Sequence, residues 1–160
     1  MLKRLALFPL TTQISVDEAE RLTVASCDLA DLAERHGTPL YLYDRATLDA
    51  SVDAYEDALA QSYPAASGIT YAGKAGLNLA LARWAADRGL WLDCTGLGEM
   101  AVAAAAGVDR SQILVHGVNK SPADLATAIA QAGAIVVDNL TELARLATMR
   151  AGVDAPIPEL

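Results

Sequence analysis

The feature that most limits the fold of this chain is a repeat at even spacing. Short β-rich runs occupy residues 68–72, 90–94, 112–116 and 134–138, starting 22 residues apart, with an earlier run at 39–43. Alanine-rich sequence that favours helix follows each run, and its ends are marked. Asp44 stands at a cap position before a helix that reads through Tyr55. Ser121-Pro122-Ala123-Asp124 combines a cap, a first-turn proline and an acid at the positive end of the helix dipole. Asn139 with Glu142 has the spacing of a capping box. Gly37, Gly89, Gly107, Gly133 and Gly152 fall where helices should stop, the position that favours a left-handed backbone.

Strand, helix, glycine and strand at this spacing leave room only for helical crossovers, which dictate a parallel sheet with right-handed connections. Two α/β architectures satisfy the pattern. One is an open doubly wound sheet; the other is the first five or so units of an eight-stranded βα barrel, left incomplete. Residues 1–26 read as an irregular lead-in and 27–160 as the βα domain. In both architectures the functional residues gather at the carboxyl ends of the strands. Those ends hold Asp44, Lys74, Asp93, His116 and Asp138.

Composition narrows the function classes. The 160 residues are 53% hydrophobic and carry a net charge of −8, with no basic stripe, which argues against nucleic acid as a partner. No apolar run reaches membrane-spanning length, and Thr11, Thr12 and Gln13 interrupt the short apolar start, so neither an anchor nor a secretory signal is expected. Cys27 and Cys94 lie far apart and suit reduced thiols in a cytoplasmic protein. His36 and His116 belong to different repeats, so a metal site is not expected.

Lys74 carries the most chemical information. Alternation along its strand places Thr70, Ala72 and Lys74 on one face, and Ile69 and Tyr71 on the other, toward covering helices. A lysine rising beside two small residues has room above it for a flat ligand, and a desolvated amine attacks carbonyl carbon. The plain alternative is a lysine reaching solvent from a strand end. Asp93 ends the next strand on the same face if Trp91 and Thr95 share it; there it can polarise a cofactor or pair with Lys74, or act only as a turn residue. His116 ends the strand after that, placed to stack on or hydrogen-bond a ligand, or to serve the fold alone. Gly96-Leu97-Gly98-Glu99-Met100-Ala101 matches the dinucleotide fingerprint. It lacks the ribose-binding acid after the next strand, and Glu99 puts negative charge where a pyrophosphate would lie.

Taken in order, several strand-end motifs resemble a known family. They are Gly37-Thr38-Pro39-Leu40-Tyr41-Leu42-Tyr43-Asp44, Tyr71-Ala72-Gly73-Lys74-Ala75, Asp93 with Glu99, His116-Gly117-Val118-Asn119-Lys120-Ser121, and Val137-Asp138-Asn139 with Glu142-Leu143. The family is that of the fold-type III pyridoxal phosphate decarboxylases, and the resemblance covers about residues 27–150. It implies pyridoxal 5'-phosphate as cofactor, held covalently by Lys74, with Asp93 and His116 as its neighbours. It also implies an amino-acid substrate, meso-diaminopimelate giving L-lysine and carbon dioxide, in an enzyme that forms a homodimer when complete. Two departures from that branch leave other substrates open. Cys94-Thr95-Gly96-Leu97-Gly98 replaces the usual stretch before the glutamate, and Gly76 follows Lys74-Ala75. Arginine, ornithine and carboxynorspermidine are the alternatives, as are an amino-acid racemase and a non-enzymatic pyridoxal phosphate-binding protein. The family's phosphate loop and pyridine-facing acid come later than these motifs, so the 160-residue chain alone is expected to be inactive.

Overall fold

Four of the five β-rich runs form strands, and all four are parallel. The computed structural model of the chain describes residues 14–16 and 20–150. Gly152 lies outside them. The chain divides into two units, Met1–Ser67 and Gly68–Leu160.

The first unit opens with three antiparallel strands in the order β1 (Ile14–Val16), β2 (Leu22–Val24) and β3 (Cys27–Asp28). Within the stretch that reads from sequence as an irregular lead-in, residues 14–16 and 22–24 pair regularly, and the β2–β3 ladder spans the 26/27 junction. Two residues of positive φ, Ala25 and Ser26, make the turn between β2 and β3. Asp28 then caps α1 (Leu29–His36) by accepting the Asp31 amide. Asp44 caps α2 (Arg45–Ser62) through Ala46 N–H and Thr47 Oγ1 as expected, but the helix runs seven residues beyond Tyr55. Its apolar spacing does not stop at Tyr55, and no glycine or proline interrupts it before Pro64.

The run at 39–43 departs from expectation. It is not a strand: it joins no ladder among the described residues, and Tyr41 is 87% exposed. Pro39 has no N–H to donate, and propensity alone does not make a strand without a partner edge.

The second unit carries the repeat. β4 (Thr70–Ala72), β5 (Trp91–Cys94), β6 (Ile113–Val115) and β7 (Ala134–Ile135) lie side by side in chain order. They are joined through α3 (Leu79–Asp87), α4 (Leu97–Ala106) and α5 (Pro122–Gln131), and α6 (Leu140–Arg150) follows β7. Consecutive order without a switch of direction is the beginning of a βα barrel, and the sheet is not closed. Register puts Tyr71, Leu92, Ile113 and Ile135 toward one face, with Cys94 and Val115 beside them. The helices cover that face. Leu81, Ala82, Trp84 and Ala85 come from α3, Met100 and Ala103 from α4, and Leu125, Ala128 and Ile129 from α5. Tyr71 meets Trp84 edge-to-face at 5.8 Å, as its outward position requires.

Most of the predicted helix ends hold. Ser121 and Asp124 form a reciprocal capping box, and Gly107 stops α4 at φ 76°, a backbone an L side chain adopts only with strain. Gly133 is a glycine for a different reason from the one expected. A Cβ there would lie 2.8 Å from the Arg110 carbonyl oxygen and 2.8 Å from Ser111 Cα, so close packing of backbone demands it.

Candidate functional site

Register puts Asp93 on the uncovered face of the sheet, with Lys74 and His116 just past the carboxyl ends of the strands on either side. Ala72 pairs with Asp93, and Asp93 with Leu114, so the uncovered face carries Thr70, Ala72, Trp91, Asp93 and Leu114. Lys74 leaves the end of β4 in a short 3-10 turn, Gly73–Ala75. Its side chain is exposed and makes no hydrogen bond or ion pair among the described residues. The turn is braced from the helix side, where Tyr71 Oη donates to the Gly76 carbonyl at 2.8 Å. It is also packed from below. A Cβ on Gly73 would lie 2.9 Å from the Asp93 carbonyl oxygen and 3.0 Å from Glu99 Oε1, so only glycine lets the lysine leave the strand at this height.

Asp93 has a side chain only 13% exposed, and its Oδ1 is buried with no hydrogen-bond partner among the described residues. A lone carboxylate oxygen in that state is destabilising unless something else meets it. Its other oxygen, Oδ2, lies 3.7 Å from His116 Nδ1, whose ring is 57% exposed. His116 N–H donates to the Cys94 carbonyl at 2.9 Å, which extends the β5–β6 ladder by one rung and holds the histidine beside the aspartate.

Asp44 belongs to the first unit, and Asp138 makes its contacts elsewhere. Asp44 is engaged in capping α2. Asp138 lies past the end of β7, where its N–H donates to Glu142 Oε1 at 3.2 Å. The Cys94 thiol points into the helix-covered core, where burial, and then the charges of Glu99 and Asp93, push it up to about 12. A thiol so placed is inert rather than nucleophilic.

The dinucleotide-like stretch is used differently. Glu99 Oε2 accepts from Thr95 Oγ1 at 2.5 Å and from Thr95 N–H, and Asp124 Oδ1 accepts the Leu97 N–H at 3.1 Å. Two carboxylates thus serve the first turn of α4, where a pyrophosphate would need free amides. Serine hydroxyl bonding holds Asp124 below the usual carboxylate range, opposed by some desolvation and helped by backbone donors. Sequence reasoning missed Thr95, and the second role of Asp124, as parts of this rim. The Ser121-x-x-Asp124 spacing announces the cap on α5, but nothing in it announces the bond to α4.

A family model for the pyridoxal binding domain of pyridoxal-dependent decarboxylases matches residues 46–157. The chain belongs to that family. A pyridoxal-dependent decarboxylase domain of this kind uses pyridoxal 5'-phosphate. The residues present fit it: a free lysine amine at a strand end can meet an aldehyde, and the orphaned Asp93 oxygen is an acceptor for a polar ligand group. The diaminopimelate decarboxylase of Mycobacterium bovis is 41% identical over 132 residues, covering 81% of this chain and 28% of the relative. The crystal structure of diaminopimelate decarboxylase from M. jannaschii superposes with a TM-score of 0.77 at 26% identity, over 86% of this chain and 32% of that one. A lysine/ornithine decarboxylase from Vibrio vulnificus, complexed with cadaverine, has a TM-score of 0.67 at 27% identity, over 78% and 33%. The chain spans about a third of the length of such relatives.

Proposed function

We propose that the whole protein is a pyridoxal 5'-phosphate-dependent amino-acid decarboxylase that converts meso-diaminopimelate to L-lysine and carbon dioxide. The observation that supports this reading is that Lys74, Asp93 and His116 stand at the carboxyl ends of three adjacent parallel strands, with His116 3.7 Å from Asp93. When bound, the cofactor draws electrons from the substrate carbon that loses its carboxylate. Lys74 holds the cofactor covalently and, once substrate has displaced it, has an amine free to carry a proton. Asp93 supplies an acceptor whose unpaired oxygen is already desolvated, and His116 covers the ligand from the side and is oriented by Asp93. The helix-covered face excludes water from below. The diaminopimelate relatives support the choice of substrate.

The Vibrio neighbour favours a second reading, a decarboxylase for lysine or ornithine. In either case the parallel repeat from β4 to α6 belongs to the amino-terminal part of the barrel. A homodimer and a cytoplasmic location go with both readings and rest on the resemblance; no helix among the described residues is long and apolar enough to cross a membrane.

Borohydride reduction of the whole protein with added cofactor, followed by peptide mapping, tests the assignment. A pyridoxyl adduct on Lys74 and its loss in Lys74→Arg are expected, because a guanidinium stays protonated and cannot attack the aldehyde. An adduct on another lysine overturns it. Carbon dioxide release from meso-diaminopimelate, lysine, ornithine and arginine, compared side by side, decides the substrate. The 160-residue chain alone is expected to show no release above that of free cofactor.

A further inference from the structure

Lys120 and Glu142 are the two buried charged residues among the described residues, and nothing in the reading above uses them. Lys120 Nζ lies 2.8 Å from Glu142 Oε1, 2.9 Å from the Val136 carbonyl oxygen and 2.5 Å from that of Gly117. An ammonium has three protons, and all three are taken. Burying such a pair is not by itself stabilising, since desolvation offsets the attraction, so its value lies in what it fixes.

It fixes a loop. The three acceptors belong to three different places: the turn after β6, the chain leaving β7 and the first turn of α6. His116 sits directly before Gly117, held on one side by its bond to the Cys94 carbonyl and on the other by the lysine over Gly117. Between them the turn has little freedom. Asn119 is left-handed at φ 53°, and a Cβ on Gly117 would lie 2.7 Å from the Thr95 carbonyl oxygen. We infer that Lys120, clasped to Glu142, is a positioning residue that locks the turn 116–119 and so holds His116 over the cofactor side of the sheet. The inference rests on the proposed function for what His116 faces, but not for the clasp itself.

The test uses the whole protein. Lys120→Met alone leaves Glu142 buried and unpaired and can fail to fold, so Lys120→Met/Glu142→Gln is the informative variant. It removes both charges while leaving an acceptor for Asp138 N–H. Amide exchange, measured without cofactor, should quicken at residues 116–120 with protection of β5 and β6 unchanged; unchanged exchange in the turn overturns the clasp. With cofactor, the double variant should bind about tenfold more weakly, as loss of an outer supporting partner does elsewhere, while still forming its adduct at Lys74. Wild-type affinity in the double variant overturns the positioning role. Absence of a Lys74 adduct in the wild-type protein sinks the proposed function instead, and the exchange result then still decides the clasp.

Discussion

In the unit Gly68–Leu160, helices α3, α4 and α5 each bury two to four side chains on one face of the sheet. In Met1–Ser67 the 18-residue α2 buries Val52 alone and α1 buries none. The helices differ in composition as well as in surroundings: α2 carries five charged residues in 18, whereas α4 carries one in ten. The difference teaches that a core needs both an apolar helix face and a partner surface that meets it. Each βα repeat in the second unit supplies both the strand face and the helix that covers it. In the first unit the antiparallel strands satisfy their own ladder, and the apolar residues of 39–43 stay exposed.

The two cysteines give the largest contrast. Cys27 is exposed in the first unit and Cys94 fully buried in the second. A thiol moved from 9.0 to about 12 has about a thousandfold less thiolate at neutral pH. A disulfide reagent should therefore modify one thiol quickly and the second only on denaturation. Equal rates at both would mean that the β5 core is open.

Core truncation comes next. Leu125 is fully buried, and Leu125→Ala should cost about 2–5 kcal/mol, whereas Val52→Ala should cost about 1–2 kcal/mol from two methylene equivalents. Both tryptophans, Trp84 and Trp91, belong to the second unit, so fluorescence-monitored denaturation reports that unit selectively. Leu125→Ala should move the midpoint and Val52→Ala should leave it in place. An equal movement by Val52→Ala would show that the two units unfold together.

Gly117→Ala sharpens the comparison within the site. Its new methyl would meet a backbone oxygen, and about 1–3 kcal/mol of destabilisation is expected, read as a lowered midpoint. The same change at Gly68, which has open space around it, should leave the midpoint where it is.

The smallest effect belongs to Asp124→Ala, about 1 kcal/mol from the lost carboxylate acceptor for Ser121 and for Leu97 N–H, while Ser121 still caps α5. Because the folded state lowers the Asp124 pKa, its contribution is present above the usual carboxylate range and fades as pH falls through the folded value. Wild type and variant should therefore differ in stability at neutral pH and converge in acid. A difference that persists in acid would assign the effect to packing rather than to charge.

The strand that Lys74 follows was legible from the chain because alternation says which face Thr70, Tyr71 and Ala72 take, and spacing says that the next strand runs parallel to it. The stops at Gly89 and Gly107 and the caps at Asp44 and Ser121 were legible too, since a cap is a contact within four residues. The run at 39–43 was misread because strand propensity is local while a ladder is not. Gly133 was assigned the wrong reason because its neighbours, Arg110 and Ser111, lie more than twenty residues away in sequence.

Read alone, then, the chain settled the parallel direction of β4 to β7, the capped helix starts and the strand-end positions of Lys74, Asp93 and His116. Each follows from periodicity and caps, whose range is a single turn or a single crossover. The strand order and the end of α2 came from the structure. Only the tertiary structure decided that Asp93 keeps a buried oxygen without a partner, that Asp124 serves α4 as well as α5, and that Lys120 is buried against Glu142. Those facts depend on which loops meet across neighbouring strands, and desolvation, unlike propensity, is a property of what surrounds a residue rather than of what precedes and follows it.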